Sequence, residues 1–214
     1  MISRICILMA AFLSFATYSN AATILQAQSV STSGTEDPTY GSIDSLINQS
    51  GLSASYVSGV NDFDNFVATT TGFKNPQGIG GVYAPFPVNL DFAFSGTVNL
   101  DGAAIWNQIG SASLKEFDLY GSLSGNFDDI ILLGSYLHDH QGGLAFIADF
   151  TQTAVSAIRM TINSNYGYSF SARFDEIAFR GTISAVPLPA ALPLFAAGLI
   201  ALGFRSFRRE KTAA

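Results

Sequence analysis

The sequence predicts an all-β domain, an antiparallel sandwich carried between two apolar ends, on three observations. Short runs alternate apolar with polar residues, turn-forming residues separate those runs at close intervals, and no long amphipathic helix interrupts them.

Met1 to Ala21 comes first. It has one positive charge at Arg4, an apolar stretch from Ile5 to Ala16, and small residues Ser19 and Ala21 around Asn20. That is the layout of a secretory signal peptide, with cleavage expected after Ala21. The single plausible helix is Ile43 to Gln49, with Ser42 as its cap and Gly51 as its terminator. Val88, Leu90, Phe92 and Phe94 then alternate with Asn89, Asp91 and Ala93, so a pleated ribbon has one apolar face. Similar runs predict strands at Ala103 to Asn107, Phe117 to Tyr120, Ile130 to Leu133, Leu144 to Phe150, Ala157 to Ile162 and Phe174 to Phe179. Gly110, Gly121 to Gly125, Gly134, Gly142 with Gly143, and Asn163 to Gly167 supply turn chemistry between them. The chain closes with Val186-Pro187-Leu188-Pro189-Ala190, an apolar run to Phe204, and Arg205, Arg208, Arg209 and Lys211. At roughly 1.5 Å per residue, Val186 to Phe204 just reaches across a bilayer, and the basic cluster then stays cytoplasmic while the middle of the chain is exported.

Ala22 to Ala185 is long enough for one domain with a substantial core. It carries 15 carboxylates against five Lys and Arg, so the whole-chain charge of −6 understates its acidity. Such a surface repels phosphate backbones, which excludes nucleic acid as a partner and favours cations. Cys6 lies inside the signal peptide, so the exported domain forms no disulfide and performs no thiol chemistry.

Asp62 and Asp64, beside Asn61 and Asn65, offer hard oxygen donors that suit Ca²⁺, or else form an Asx-rich turn with solvated carboxylates. His138, Asp139 and His140 are the one histidine cluster; alternation puts both imidazoles on one side, but no third metal ligand follows, and they read better as sugar contacts on a loop. Tyr166 and Tyr168 can stack on a sugar face or simply pack their loop. Trp106 reads as core, and Arg159 as one half of a structural ion pair. A glycosidase needs two carboxylates at a set separation, whereas Asp128 and Asp129 are neighbours that read as a turn. No nucleophile elbow, phosphate loop or dinucleotide fingerprint is present.

Two resemblances add to this reading. The last segment, with its Pro motif, apolar span and Arg-rich end in that order, resembles the PEP-CTERM sorting signal of Gram-negative bacteria, which an exosortase processes. Leu188 stands where the name-giving motif has glutamate, and Val-Pro-Leu-Pro-Ala looks like the recurrent variant. Between about 45 and 180, the segments Ser45 to Leu52, Val60 to Asp64, Leu90 to Phe92, Ile105 to Gln108, Lys115 to Phe117, Ile158 to Gly167 and Glu176 to Phe179 resemble a discoidin, or coagulation-factor C-type, domain. That resemblance implies a galactose-binding-like jelly roll that binds glycans, lipids or proteins through loops at one end. It also implies a structural calcium held by an early aspartate loop, backbone carbonyls and a last-strand glutamate, for which Glu176 matches. The expected protein is an exported, exosortase-sorted surface or matrix module of a Gram-negative envelope that binds glycan or exopolysaccharide without catalysis. Its rivals are a self-associating matrix protein and a polysaccharide hydrolase.

Overall fold

The computed structural model describes residues 22–72, 75, 78–138 and 143–183. The expected signal peptide, the Val186 to Ala190 motif and the basic stop from Arg205 to Lys211 lie outside them. Among the described residues, no helix is long and apolar enough to cross a membrane.

Eight strands carry the fold: β1 (Thr23–Leu25), β2 (Ser29–Thr32), β3 (Gly80–Tyr83), β4 (Val88–Asn107), β5 (Leu114–Ser122), β6 (Ile131–Leu137), β7 (Ala145–Asn165) and β8 (Ser171–Ile183). All their pairings are antiparallel. Two long strands, β4 and β7, serve two layers each. Val88 to Ala93 pairs with β2 and with Ala157 to Ile162, which in turn pairs with β5, and β5 with β6. Val98 to Trp106 pairs instead with Ala145 to Val155 and with β8, which also carries β1 and β3. The register shift between Ala93 and Val98 is where the ladder folds over on itself, as bulges permit.

The fold-over makes a sandwich because each half has an apolar inner face. Leu90, Phe92, Ile158, Met160, Ile162, Phe117 and Leu119 point in from one layer; Leu100, Ile105, Ile177 and Phe179 meet them from the other. Phe92 crosses the gap to Phe179 edge-on at 5.8 Å between centroids. Asn89, Asp91, Arg159 and Thr161 take the outer face of the first layer, as period-two alternation requires. The end of β4 is buried on both faces, since Ala104 and Trp106 pack outward under Ile24, Leu52, Phe63 and Phe66.

The predicted sandwich is present, with corrections. Val88 to Phe94 and Ala103 to Asn107 belong to one strand, as do Leu144 to Phe150 and Ala157 to Ile162, apart from the first residue of the former run. The chain bends within the ladder rather than leaving it, so the expected breaks do not occur. Gly134 lies inside β6, and Asn163 to Asn165 inside β7. The predicted helix is a 3-10 helix over Ile43–Ile47 whose cap, Ser42, accepts from Asp44 N–H, and it ends at Asn48. Gly51 answers to packing: a Cβ there would stand 2.9 Å from the Gly78 carbonyl and 3.1 Å from Asp175 Cβ. A second helix, α1 (Phe63–Thr69), occupies what the sequence suggests is a calcium loop. Its Asp62 cap accepts from Asn65 N–H at 2.9 Å, and Phe63, Phe66 and Val67 are buried at helical spacing. Arg159 forms the expected ion pair, bidentate to Asp91 at 2.7 Å in both bonds.

Candidate functional site

At one end of the sandwich, the loop after β2 meets the β3–β4, β4–β5 and β7–β8 connections. Backbone bonds lock them together. Tyr83 N–H donates to Thr35 C=O, Ala84 N–H to Phe170 C=O, Tyr168 N–H to Ser111 C=O, and Arg173 N–H to Ala112 C=O. Asn165 pins the β7–β8 loop from inside, its amide donating to both Tyr168 and Ser171 carbonyls at 2.7 Å. Its Oδ1 accepts from the N–H of Gly167, whose φ of +99° glycine adopts freely.

A buried ion pair lies beneath these loops. Arg173 Nε donates to Asp37 Oδ2 at 2.5 Å, with the arginine side chain 9% exposed and the aspartate closed off. Burial alone would push the Asp37 carboxyl up, but bonds from Thr39 and Arg173 outweigh it and bring its pKa down to about 2. The guanidinium Cζ then sits 4.7 Å from the ring centroid of Tyr40 and 5.3 Å from that of Tyr168. Phe170 meets Tyr168 edge-on at 5.4 Å and is 64% exposed; Tyr40 is 40% exposed. Two aromatic rings are thus held at a loop end by one charge pair, and Phe170 packs on the second of them. Such rings offer apolar area at little further entropic cost on binding.

Of the residues the sequence nominated, Tyr168 belongs to this cluster. Tyr166 is half-buried, its hydroxyl donating to the His138 carbonyl, with Lys115 Nζ 5.9 Å from its ring centroid. His138 is a correction. It is 0% exposed, its N–H continues the β5–β6 ladder to Lys115 C=O, and its ring packs 4.9 Å from that of Phe146. Period-two alternation indicates which side an imidazole takes, but not that β7 has a phenylalanine waiting there. His140 and Asp139 lie outside the described residues. Trp106 is core, with its indole N–H on the Thr70 carbonyl at 3.0 Å.

The three carboxylates of the expected calcium set are not brought together by side chain. Asp62 caps α1, Asp64 is exposed in the first turn of that helix, and Glu176 is buried on β8 with Oε2 accepting from Gln49 N–H at 2.8 Å. Burial raises the Glu176 pKa well above the usual carboxylate range, against a lowering by Gln49 N–H; the Tyr56 hydroxyl approaches without reaching hydrogen-bond geometry. Among the described residues, no three His, Cys, Asp or Glu side chains are grouped to hold a metal. Sequence reasoning missed Asp37, Tyr40, Phe170 and Arg173, for which Pro38 and Gly41 beside Tyr40 signalled a turn and nothing more.

No protein-family model matches the sequence, and no curated protein matches it. Solved structures do. The structure of the modules CBM32-1 and CBM32-2 from Clostridium perfringens ZmpB is similar over 77% of this chain and 37% of that one, at 16% identity and a TM-score of 0.52. The family 32 module of C. perfringens NanJ, solved in complex with galactose, is similar over 74% of this chain and 98% of that one, at 12% identity and a TM-score of 0.52. The fold is a galactose-binding-like jelly roll. The C-terminal domain of a Bacteroides fragilis chitobiase shares it over 75% of this chain and 98% of that one, at 14% identity and a TM-score of 0.51. The chain therefore spans just over a third of the first of these structures and nearly all of the other two, and the likeness carries the discoidin-like fold.

Proposed function

We propose that this chain is a noncatalytic glycan-binding module, exported and sorted to the envelope surface or the extracellular polysaccharide. The observation that carries it is the trio of Tyr40, Tyr168 and Phe170, partly exposed at a loop end, with both tyrosines over the Asp37–Arg173 pair and Phe170 against Tyr168. The NanJ module's complex with galactose supports a sugar as the ligand class for this fold. The role of the aromatics is physical: a pyranose presents a face of C–H groups that an exposed ring covers, while loop amides and hydroxyls meet its polar edge. Asp37 does not suit acid catalysis, because its carboxyl is ionised and paired above pH about 2.

The test is a titration of the protein with soluble glycans. Saturable binding is expected, weakened about three- to tenfold in Phe170→Ala, the range that single aromatic contacts supply. No saturable signal from any glycan would leave the self-associating matrix protein as the better account. Sorting rests on the Val186 to Ala190 motif, the apolar run and the basic tail. Protein recovered from the envelope should have an intact mass lacking Met1 to Ala21 and the tail; the mass of all 214 residues would remove exosortase as a partner.

A further inference from the structure

The outer face of the first layer holds a second feature, remote in sequence from the aromatic trio. Across the strands run two polar rows, Ser31–Asp91–Arg159–Tyr120 and Asn89–Thr161–Asp118–Ser135, each residue opposite the next in register. A solvated sheet face accounts for such rows. It does not account for Phe127.

Phe127 sits at φ 63°, a left-handed conformation that a bulky side chain adopts only when its surroundings impose it. Here the β5–β6 loop imposes it. The Asp129 carboxylate accepts from the hydroxyls of Ser122 and Ser124 at 2.6 Å each, and from the N–H groups of Leu123 and Ser124 at 3.0 and 2.9 Å. Ser122 Oγ in turn accepts from Gly125 and Phe127 N–H. The result places the Phe127 ring 4.1 Å from Arg159 Cζ, at the wall of a cleft of about 280 Å³. Ala93 lines that cleft with apolar surface, and Ser29, Ser31 and Asn126 with hydroxyls and an amide. Asp91 and Arg159 stand in it already joined, so they need no ordering on binding; their bridge uses two of the five guanidinium donors.

The geometry points to a second glycan site here, taking one neutral sugar unit of a polysaccharide chain laid across the sheet. A preformed Asp–Arg pair offers an acceptor and donors to vicinal hydroxyls, and the Phe127 ring with Ala93 covers C–H surface. The cleft is smaller than most drug-sized pockets, which fits a single unit. The charge of the pair cancels and the surrounding domain is acidic, so the site selects neutral over polyanionic glycans. This inference rests on the glycan-binding reading above but uses different residues.

The full chain, held in a polyoxyethylene detergent that carries no sugar, is tested by affinity electrophoresis in galactomannan, xyloglucan and dextran, with alginate as the charged control. Retardation by a neutral polysaccharide is expected, weakened about three- to tenfold in Phe127→Ala and in Ser31→Gln, which crowds the cleft from an exposed position. Ser31→Gln decides the matter should Phe127→Ala lose its fold. If both variants migrate as wild type while Phe170→Ala loses retardation, the sheet-face site is overturned and the loop-end reading stands. If the sheet-face variants alone lose it, the site is supported and the loop end is not. No retardation of wild type by any of the three overturns both, and equal retardation by alginate overturns the selectivity for neutral chains.

Discussion

Replacing Arg173 with Met should destabilise the domain by about 3–5 kcal/mol, because Asp37 is left charged, closed off from water and without its cationic partner. Asp37→Asn removes the charge from the other side and should cost a comparable amount. The double variant should recover part of the loss, since two neutral side chains bury more cheaply than one orphaned ion. Urea denaturation of all four proteins measures this; additive losses in the double variant would mean the two groups are not coupled. The pair also predicts a pH response. The folded pKa of Asp37 lies below its unfolded value, so the native state binds a proton less readily. Its contribution, about 2 kcal/mol, is therefore fully present above pH about 4 and lost as the pH falls towards 2. Wild type should lose stability through that window more steeply than Asp37→Asn. Parallel curves would show that Asp37 does not titrate as its surroundings require. The same substitutions should loosen Tyr40 and Tyr168, so stability and the loop-end surface are linked through one guanidinium.

Trp106→Ala should cost a similar amount, about 3–5 kcal/mol, by a different mechanism. Trp106 is the one tryptophan of the chain and is wholly buried at the centre of the second apolar cluster. It stands edge-on to Phe66 of α1 at 6.2 Å, and its N–H is the donor for Thr70 C=O at the end of that helix. Truncation opens a cavity beneath α1 and removes that donor together. α1 has seven residues, too few for independent helical stability, so it depends on this packing. Guanidinium unfolding followed by far-ultraviolet circular dichroism reads the effect. Near-wild-type stability would mean that α1 does not rest on Trp106.

How much of this was legible in the sequence depends on the distance over which each feature is encoded. Alternation in Val88 to Phe94 named the inward residues of β4 correctly, since two neighbours are enough to show a pleat. Ser42 was recognised as a cap for the same reason, its acceptor reaching only two residues on. The continuity of β4 and β7 was not visible. Gly96 and the run from Thr151 to Thr153 look like ends of strands, and only the pairing of β4 with β7 on either side of them, Ala93 with Ala157 and Val98 with Val155, then Leu100 with Thr153 and Gly102 with Asp149, shows that each strand continues. At Asp62 a carboxylate beside asparagines suits both an ion and a helix cap; the burial of Phe63, Phe66 and Val67 decides for the cap. His138 fails as a surface contact because of Phe146, a partner on another strand.

What the sequence determined by itself was the class of protein: strand periodicity, an acidic domain without cysteine beyond the first segment, and no catalytic motif, all properties of composition or of windows a few residues wide. Tertiary structure alone decided where the two proposed binding surfaces lie. Arg173 and Asp37 are 136 positions apart, Arg159 and Asp91 are 68 apart, and Phe127 reaches Arg159 only because β5 and β7 are neighbours. The physical reason is that pleating follows from adjacent backbone units, whereas a charge pair or an aromatic platform exists only once the whole ladder has folded over.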